Sequence, residues 1–256
     1  ESGYWLDRTA IKDAVTLALG ESRVADDYAY KPLADEIYGC EEQVYFNTYR
    51  SPSTAEIEPT LDEQKLIDGY FQYLLPSEAE RKRVQQWMAH LTFKPNVKTG
   101  VAILLHGVSN GTGKGTLGEV LTGLVCKTNV EKPTNPNEIL TGRFNGAMEG
   151  NVLFLVDELY AGGSFKIANG MKSKITEPTL SIEKKGLEPR TIENYCNFLA
   201  TSNHLVPLWL EPADRRWEVY EVEFAEGSEE EHKKAVKAFR EWFESDKKHA
   251  TAVIRC

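Results

Sequence analysis

The sequence predicts an α/β protein built on a mostly parallel five-stranded sheet, with a small helical subdomain ahead of it in the chain. Three observations carry that prediction. From Pro95 onward, short continuous apolar runs alternate with helical stretches, as in sheets whose strands are buried on both faces. Between Leu61 and Leu91 the apolar residues return at three- and four-residue steps instead, which is the period of a helix. One apolar run also passes directly into a glycine-rich turn and then a second helical pattern.

The composition is compatible with a packed core: 256 residues, 41% hydrophobic and 27% charged. The longest apolar runs, Val101–Leu105 and Val152–Val156, have strand length and fall far short of the roughly 18–20 residues of a membrane span. A net charge of −9 argues against a general electrostatic grip on nucleic acid, while leaving room for a local basic lining. Basic residues gather at Lys166, Lys172, Lys174, Lys184, Lys185 and Arg190, against Glu177, Glu183 and Glu188; a solvated face and a binding site both fit that cluster. Cys40, Cys126, Cys196 and Cys256 lie far apart with no ligand spacing, so a reducing cytoplasm is the expected compartment. The chain opens at Glu1 without an initiator Met, and a piece of a longer polypeptide is expected.

Residues 1–60 read as a lead-in and linker: a helix over Asp7–Leu19, then a loop-rich piece containing Phe46–Arg50 and Pro52. Residues 61–94 form the helical subdomain. Leu66, Ile67, Tyr70, Phe71, Tyr73 and Leu74 mark one helix, which Pro76 ends. Ser77 with Glu80 has capping-box spacing and starts a second helix through Val84, Trp87 and Met88. Packing or oligomerisation is the expected role of the pair. In the core, residues 95–225, the expected strands are Val101–His106, Val152–Val156, Asn197–Ser202 and Trp217–Phe224, with a short one near Thr128–Val130. Residues 226–256 close the chain with a charged helix that carries Val236, Phe239, Trp242 and Phe243 on one side.

Strand Val101–His106 runs straight into Gly107–Thr116 (GVSNGTGKGT) and then an apolar helix. Strand, glycine-rich turn, lysine and helix are the context of a phosphate-binding loop. Backbone N–H groups of Gly107, Asn110, Gly111, Thr112, Gly113 and Gly115 would face phosphate oxygens, and Lys114 would reach the β- and γ-phosphates of ATP. The run departs from the usual pattern twice. Its first glycine, Gly107, lies one residue early, and Gly115 stands where Ser or Thr usually supplies the Mg²⁺ hydroxyl, leaving that role to Thr116.

Strand Val152–Val156 ends in Asp157 and Glu158, 43 residues after Lys114. Acids at a strand end are often solvated caps; beyond a phosphate loop, Asp157 is placed to hold Mg²⁺ and Glu158 to activate water. Asn203 ends the next apolar strand, 46 positions after Asp157, either as a turn former or as a sensor of the γ-phosphate. Arg215 and Arg216 precede the last strand; they are surface charge or a guanidinium offered to a neighbouring subunit's phosphate.

In this order the motifs resemble superfamily 3 helicases, AAA+-type P-loop ATPases found fused to primases or primase–polymerases in phages and large DNA viruses. The matching stretch runs from Trp87 to about Val222 and includes Trp87–His90, His106–Thr116, Val152–Glu158, the Lys184–Gly186 run, Phe198–His204 and the arginine pair. Phe46–Arg50 is similar to a segment of such phage proteins. The resemblance implies an ATP- and Mg²⁺-dependent motor that moves on single-stranded DNA, forms a hexameric ring with ATP between subunits, works in the host cytoplasm and engages no membrane. It further implies a β-hairpin with a DNA-touching lysine at its tip; Leu180–Ile192 fits, with Lys185 first and Lys184 second. Two other readings stay open: a DNA-independent remodelling or packaging ATPase of the AAA type, and a nucleotide kinase invited by the Gly-Lys-Gly-Thr run.

Overall fold

The computed structural model describes residues 25, 27–40, 43–135, 140, 145–161, 165–186 and 188–256. The helix expected over Asp7–Leu19 lies outside these residues. The chain divides into two units, Glu1–Tyr49 and Arg50–Cys256.

In the first unit, a stretch expected to be irregular carries three strands, β1 (Asp27–Ala29), β2 (Ile37–Cys40) and β3 (Gln43–Asn47). β3 is central, parallel to β1 and antiparallel to β2. The buried Asn47 secures it: Nδ2 donates to the carbonyls of Lys31 and Ala34, and Oδ1 accepts from the N–H groups of Lys31 and Tyr49. That is the work of the asparagine in the Phe46–Arg50 phrase. A buried polar side chain with its hydrogen bonds made costs little and holds one register.

The second unit opens with α1 (Leu61–Leu74) and α2 (Glu78–Phe93). A complete capping box starts α1, where Thr60 Oγ1 accepts from the Glu63 N–H and Glu63 Oε2 from the Thr60 N–H. At α2, where the spacing predicted a box, Ser77 caps through the Glu80 N–H at 3.5 Å. Then come β4 (Ala102–His106), α3 (Lys114–Val125), β5 (Val130–Glu131), β6 (Leu153–Val156), α4 (Lys166–Thr176), the hairpin β7 (Thr179–Ile182) and β8 (Arg190–Glu193), β9 (Asn197–Ser202), β10 (Trp217–Glu221), α5 (Glu229–Ser245) and α6 (Lys247–Arg255). The single C-terminal helix of the sequence reading is thus two helices.

The sheet has the order β10-β4-β9-β6-β5, and every neighbouring pair is parallel. It is the α/β sheet of a P-loop-like nucleotide fold. Alternation along each strand splits its side chains between two cores. Ile103, Leu105, Leu153, Leu155, Leu199 and Tyr220 face α1, α2, α3 and α5. Ala102, Leu104, Phe154, Val156, Phe198, Ala200 and Trp217 face α4 and the hairpin's Leu180 and Ile182. α1 and α2 are therefore a layer on the sheet: Tyr70, fully buried, stacks on Phe239 of α5 at 4.2 Å between ring centroids. Among the described residues, no helix is long and apolar enough to cross a membrane.

Candidate functional site

The carboxyl ends of the parallel strands all open toward one edge, where loops and helix N-termini converge. β4 ends there in the glycine loop, and α3 begins at Lys114 with Gly113 as its cap in the left-handed region, φ 93°. A Cβ on Gly113 would lie 3.0 Å from the Tyr70 ring and 3.2 Å from Val236, so the glycine permits the close approach of α1 and α5. Those helices also hold the loop by hydrogen bonds, Tyr70 Oη to the Gly113 carbonyl at 3.1 Å and His232 Nε2 to that of Thr112 at 3.0 Å.

Lys114 is 6% exposed, and its Nζ donates to the carbonyls of Gly107 (3.0 Å) and Ser109 (2.9 Å) and to Thr112 Oγ1 (3.2 Å). Burial lowers its pKa, an effect the Glu223 carboxylate opposes. An ammonium stripped of water and directed at loop oxygens is ready to exchange them for an anion.

β9 lies between β4 and β6, and it secures the acid-bearing turn after β6. The Leu159 N–H donates to the Thr201 carbonyl, and Ser202 Oγ donates to the Leu159 carbonyl at 2.7 Å. Glu158 occupies the left-handed region at φ 54°, a conformation that non-glycine residues adopt rarely and keep where the surroundings impose it. Asp157 is bracketed by Thr201, whose hydroxyl donates to Oδ1 at 3.3 Å, and by Lys132, whose Nζ pairs with Oδ2 at 2.5 Å.

Around these groups lies a cavity of about 560 Å³. Of the residues singled out in the sequence, Asn110, Gly111, Thr112, Gly113, Lys114, Gly115, Thr116, Asp157, Glu158 and Asn203 line it. Gly107 is not in the lining; it sits behind the loop against Val222 and Glu223. The lining also contains Glu119, Lys132, Thr201 and Arg240, which no motif singles out, and Val236, expected only as a packing residue of the C-terminal helix. Arg240 lies one turn beyond Val236 on α5 and pairs with Glu119 Oε1 at 3.3 Å; nothing local in a charged helix marks it out. Thr201 lies in β9, two residues before Asn203, which follows the strand's last residue; its place next to the end of an apolar run was a usable signal.

The residues present fit a magnesium nucleotide. The loop N–H groups and the start of α3 suit a phosphate chain. The Thr116 hydroxyl and Asp157 carboxylate are oxygen donors of the kind Mg²⁺ takes; the Lys132 ammonium on Asp157 Oδ2 is a competitor that a cation would displace from that oxygen.

The remaining predicted residues stand elsewhere. Arg216 is tied to its neighbour Asp214, Nη1 to both carboxylate oxygens at 3.0 and 3.1 Å, whereas Arg215 is exposed. Neither lines the cavity. The hairpin forms antiparallel, pairing Leu180 with Ile192 and Ile182 with Arg190, and Gly186 turns it at φ 81°. Lys184 is drawn back onto Glu149 at 2.6 Å, a carboxylate that also receives Arg190. Lys185 is exposed at the tip. Leu187, which falls in the expected hairpin, lies outside the described residues.

Residues 105–216 match a family described as "Family of unknown function (DUF5906)". Over 197 residues the chain is 27% identical to the DNA primase-polymerase of Nitratiruptor phage NrS-1, covering 75% of this chain and 27% of that protein. The apo structure of the NrS-1 C-terminal region superposes with a TM-score of 0.66 at 21% identity, covering 96% of this chain and 60% of the other. Its A form apo structure gives 0.65, again at 21% identity, covering 97% and 59%. The chain is homologous to the C-terminal region of that phage primase-polymerase, shares its α/β fold, and spans little more than a quarter of the whole phage protein.

Proposed function

We propose that this chain is the ATP-hydrolysing motor of a DNA helicase of superfamily 3 type, within a phage replication protein that also carries a primase or primase-polymerase part. The observation that carries the reading is convergence. Lys114 and Thr116 from α3, Asp157 and Glu158 from the end of β6, and Asn203 from the end of β9 line one cavity at the carboxyl edge of an all-parallel sheet.

In this proposal the loop N–H groups and Lys114 bind and orient the β- and γ-phosphates, and Thr116 and Asp157 hold Mg²⁺. Bound magnesium neutralises charge on the transferring phosphoryl group. Glu158 accepts the proton of the attacking water, and Asn203 acts as a sensor that contacts the γ-phosphate or that water. Catalysis then rests on positioning and electrostatics rather than on a covalent protein intermediate. Arg215, outside the cavity of its own subunit, completes the site of the next subunit in a ring. Lys185 meets the phosphates of single-stranded DNA at the hairpin tip.

Phosphate release from ATP with and without single-stranded DNA, read together with particle size, tests the reading. DNA-stimulated hydrolysis by an oligomer is the expected result. Hydrolysis indifferent to DNA in a full ring would leave a remodelling or packaging ATPase, and phosphoryl transfer to a nucleoside monophosphate would make the protein a kinase.

A further inference from the structure

The extra residue in the glycine loop has a partner. Glu223, two positions beyond β10, places its carboxylate on the Ser109 N–H at 3.1 and 3.2 Å from the two oxygens. A Cβ on Gly107 would fall on the Val222 carbonyl and within 2.5 Å of Glu223 Oε1, so the first glycine admits the carboxylate rather than a phosphate. The cavity lining begins only at Asn110. On the inner side, the carbonyls of Gly107 and Ser109 receive Lys114 Nζ. Gly107–Ser109 thus forms a bridge with an anion behind it and the ammonium in front. Burial by itself raises the Glu223 carboxyl, and the contacts with Ser109, Val108 and Lys114 outweigh it, so the group stays ionised below the ordinary carboxylate range.

We propose that Glu223 is a positioning residue for nucleotide binding: a resident anion that claims the first N–H groups of the lengthened loop, turns Val108 and Ser109 away from the cavity, and leaves Asn110–Thr116 to face the phosphates. A loop one residue too long for its task has more conformations to lose on binding. A charge-assisted hydrogen bond from the Ser109 N–H to the protein's own carboxylate removes that freedom beforehand. The Lys114 ammonium lines the cavity and attracts the Glu223 carboxylate, so it offsets part of the repulsion between that carboxylate and a bound phosphate.

This inference rests on the nucleotide reading of the cavity, and the experiment separates the two. Amide hydrogen exchange over residues 107–113 is measured without nucleotide, and ATP affinity, KM and kcat are then measured for wild type, Glu223→Ala and Glu223→Gln. Glu223→Ala is expected to accelerate exchange at Ser109 and to weaken ATP affinity and raise KM about tenfold, with kcat at saturation within about twofold. Glu223→Gln, which keeps an acceptor oxygen, should recover most of both effects. Unchanged exchange in Glu223→Ala, unchanged affinity, a fall in kcat with KM intact, or no recovery with glutamine would each overturn the proposal. Wild-type protein that binds no nucleotide would instead sink the ATPase reading, and the exchange result would still decide the loop contact.

Discussion

Replacing Lys114 with alanine separates the proposed chemistry from the fold. The ammonium donates to Gly107, Ser109 and Thr112 at 2.9–3.2 Å. Thr112 and Lys114 itself line the cavity, so water entering the space the side chain vacates replaces the lost donor, and the net change in stability stays within about 1 kcal/mol. Burial already disfavours the charged lysine, and its removal relieves part of that cost. With ATP bound, the same ammonium would make charge-assisted bonds worth roughly 1.5–3 kcal/mol each, or about 10- to 150-fold in affinity. Stabilisation of the developing charge adds a further factor on the order of 10²–10³ in kcat. Lys114→Ala should therefore lower kcat/KM for ATP at least about 10³-fold while the melting temperature moves by no more than roughly 2–4 °C. Steady-state phosphate release, nucleotide titration and thermal unfolding on one preparation check this. Hydrolysis within threefold of wild type would refute the site, and lost activity accompanied by a collapse in melting temperature would refute the separation of binding from folding.

Glu158→Gln should retain nucleotide binding and lose hydrolysis by on the order of 10²–10⁴, and mixing such subunits with Arg215→Ala subunits should partly restore turnover at mixed interfaces; no recovery at any ratio speaks against an arginine acting in trans. Arg216→Ala, which frees the Asp214 carboxylate, should show its effect in thermal stability rather than in the mixing assay. Lys185→Ala is expected to weaken single-strand binding several-fold and reduce the salt slope by about 0.7, measured by fluorescence anisotropy across salt concentrations, and an unchanged slope would remove Lys185 from the interface. Lys98 is half-buried with its Nζ on the Lys174 carbonyl at 2.9 Å, and desolvation lowers its pKa to about 8. The cost of the buried charge is full below that pH and is relieved as pH rises toward the unfolded value of 10.5. The stability of wild type relative to Lys98→Met should accordingly rise between pH 8 and 10, by about 1–3 kcal/mol. A gap in denaturant midpoints that stays constant over that range would contradict the burial argument.

Much of this protein is written locally. Continuous apolar runs announce strands buried on both faces, and four of the five sheet strands stand within a residue or a few of where the runs place them, because a parallel strand under two layers admits little besides apolar side chains. β5, Val130–Glu131, overlaps the short strand expected near Thr128–Val130 only at Val130, since two residues are too few to show a period. The strands of the first unit hide for another reason: short, half-exposed and rich in tyrosine, they lack a clean alternation, and a buried asparagine rather than an apolar face secures them. The chemical residues that follow strands or open a helix were legible as well. Strand–loop–helix geometry sends Lys114, Asp157 and Asn203 to the same sheet edge wherever the fold occurs.

What the tertiary structure alone decided is which distant side chains complete that edge. Lys132 reaches Asp157 only because β5 lies beside β6. Arg240 and Val236 line the cavity only because α5 returns over the loop. Glu223 meets the glycine loop only because β10 pairs with β4 at the far side from the acids. It also separated the two lysines and the two arginines that the sequence left as pairs, tying Lys184 and Arg216 to carboxylates and leaving Lys185 and Arg215 exposed. Local sequence determines strands, turns and the residues at their ends, since those depend on neighbours along the chain. Partners across more than 100 residues depend on strand order, and no periodicity in a single sequence encodes it.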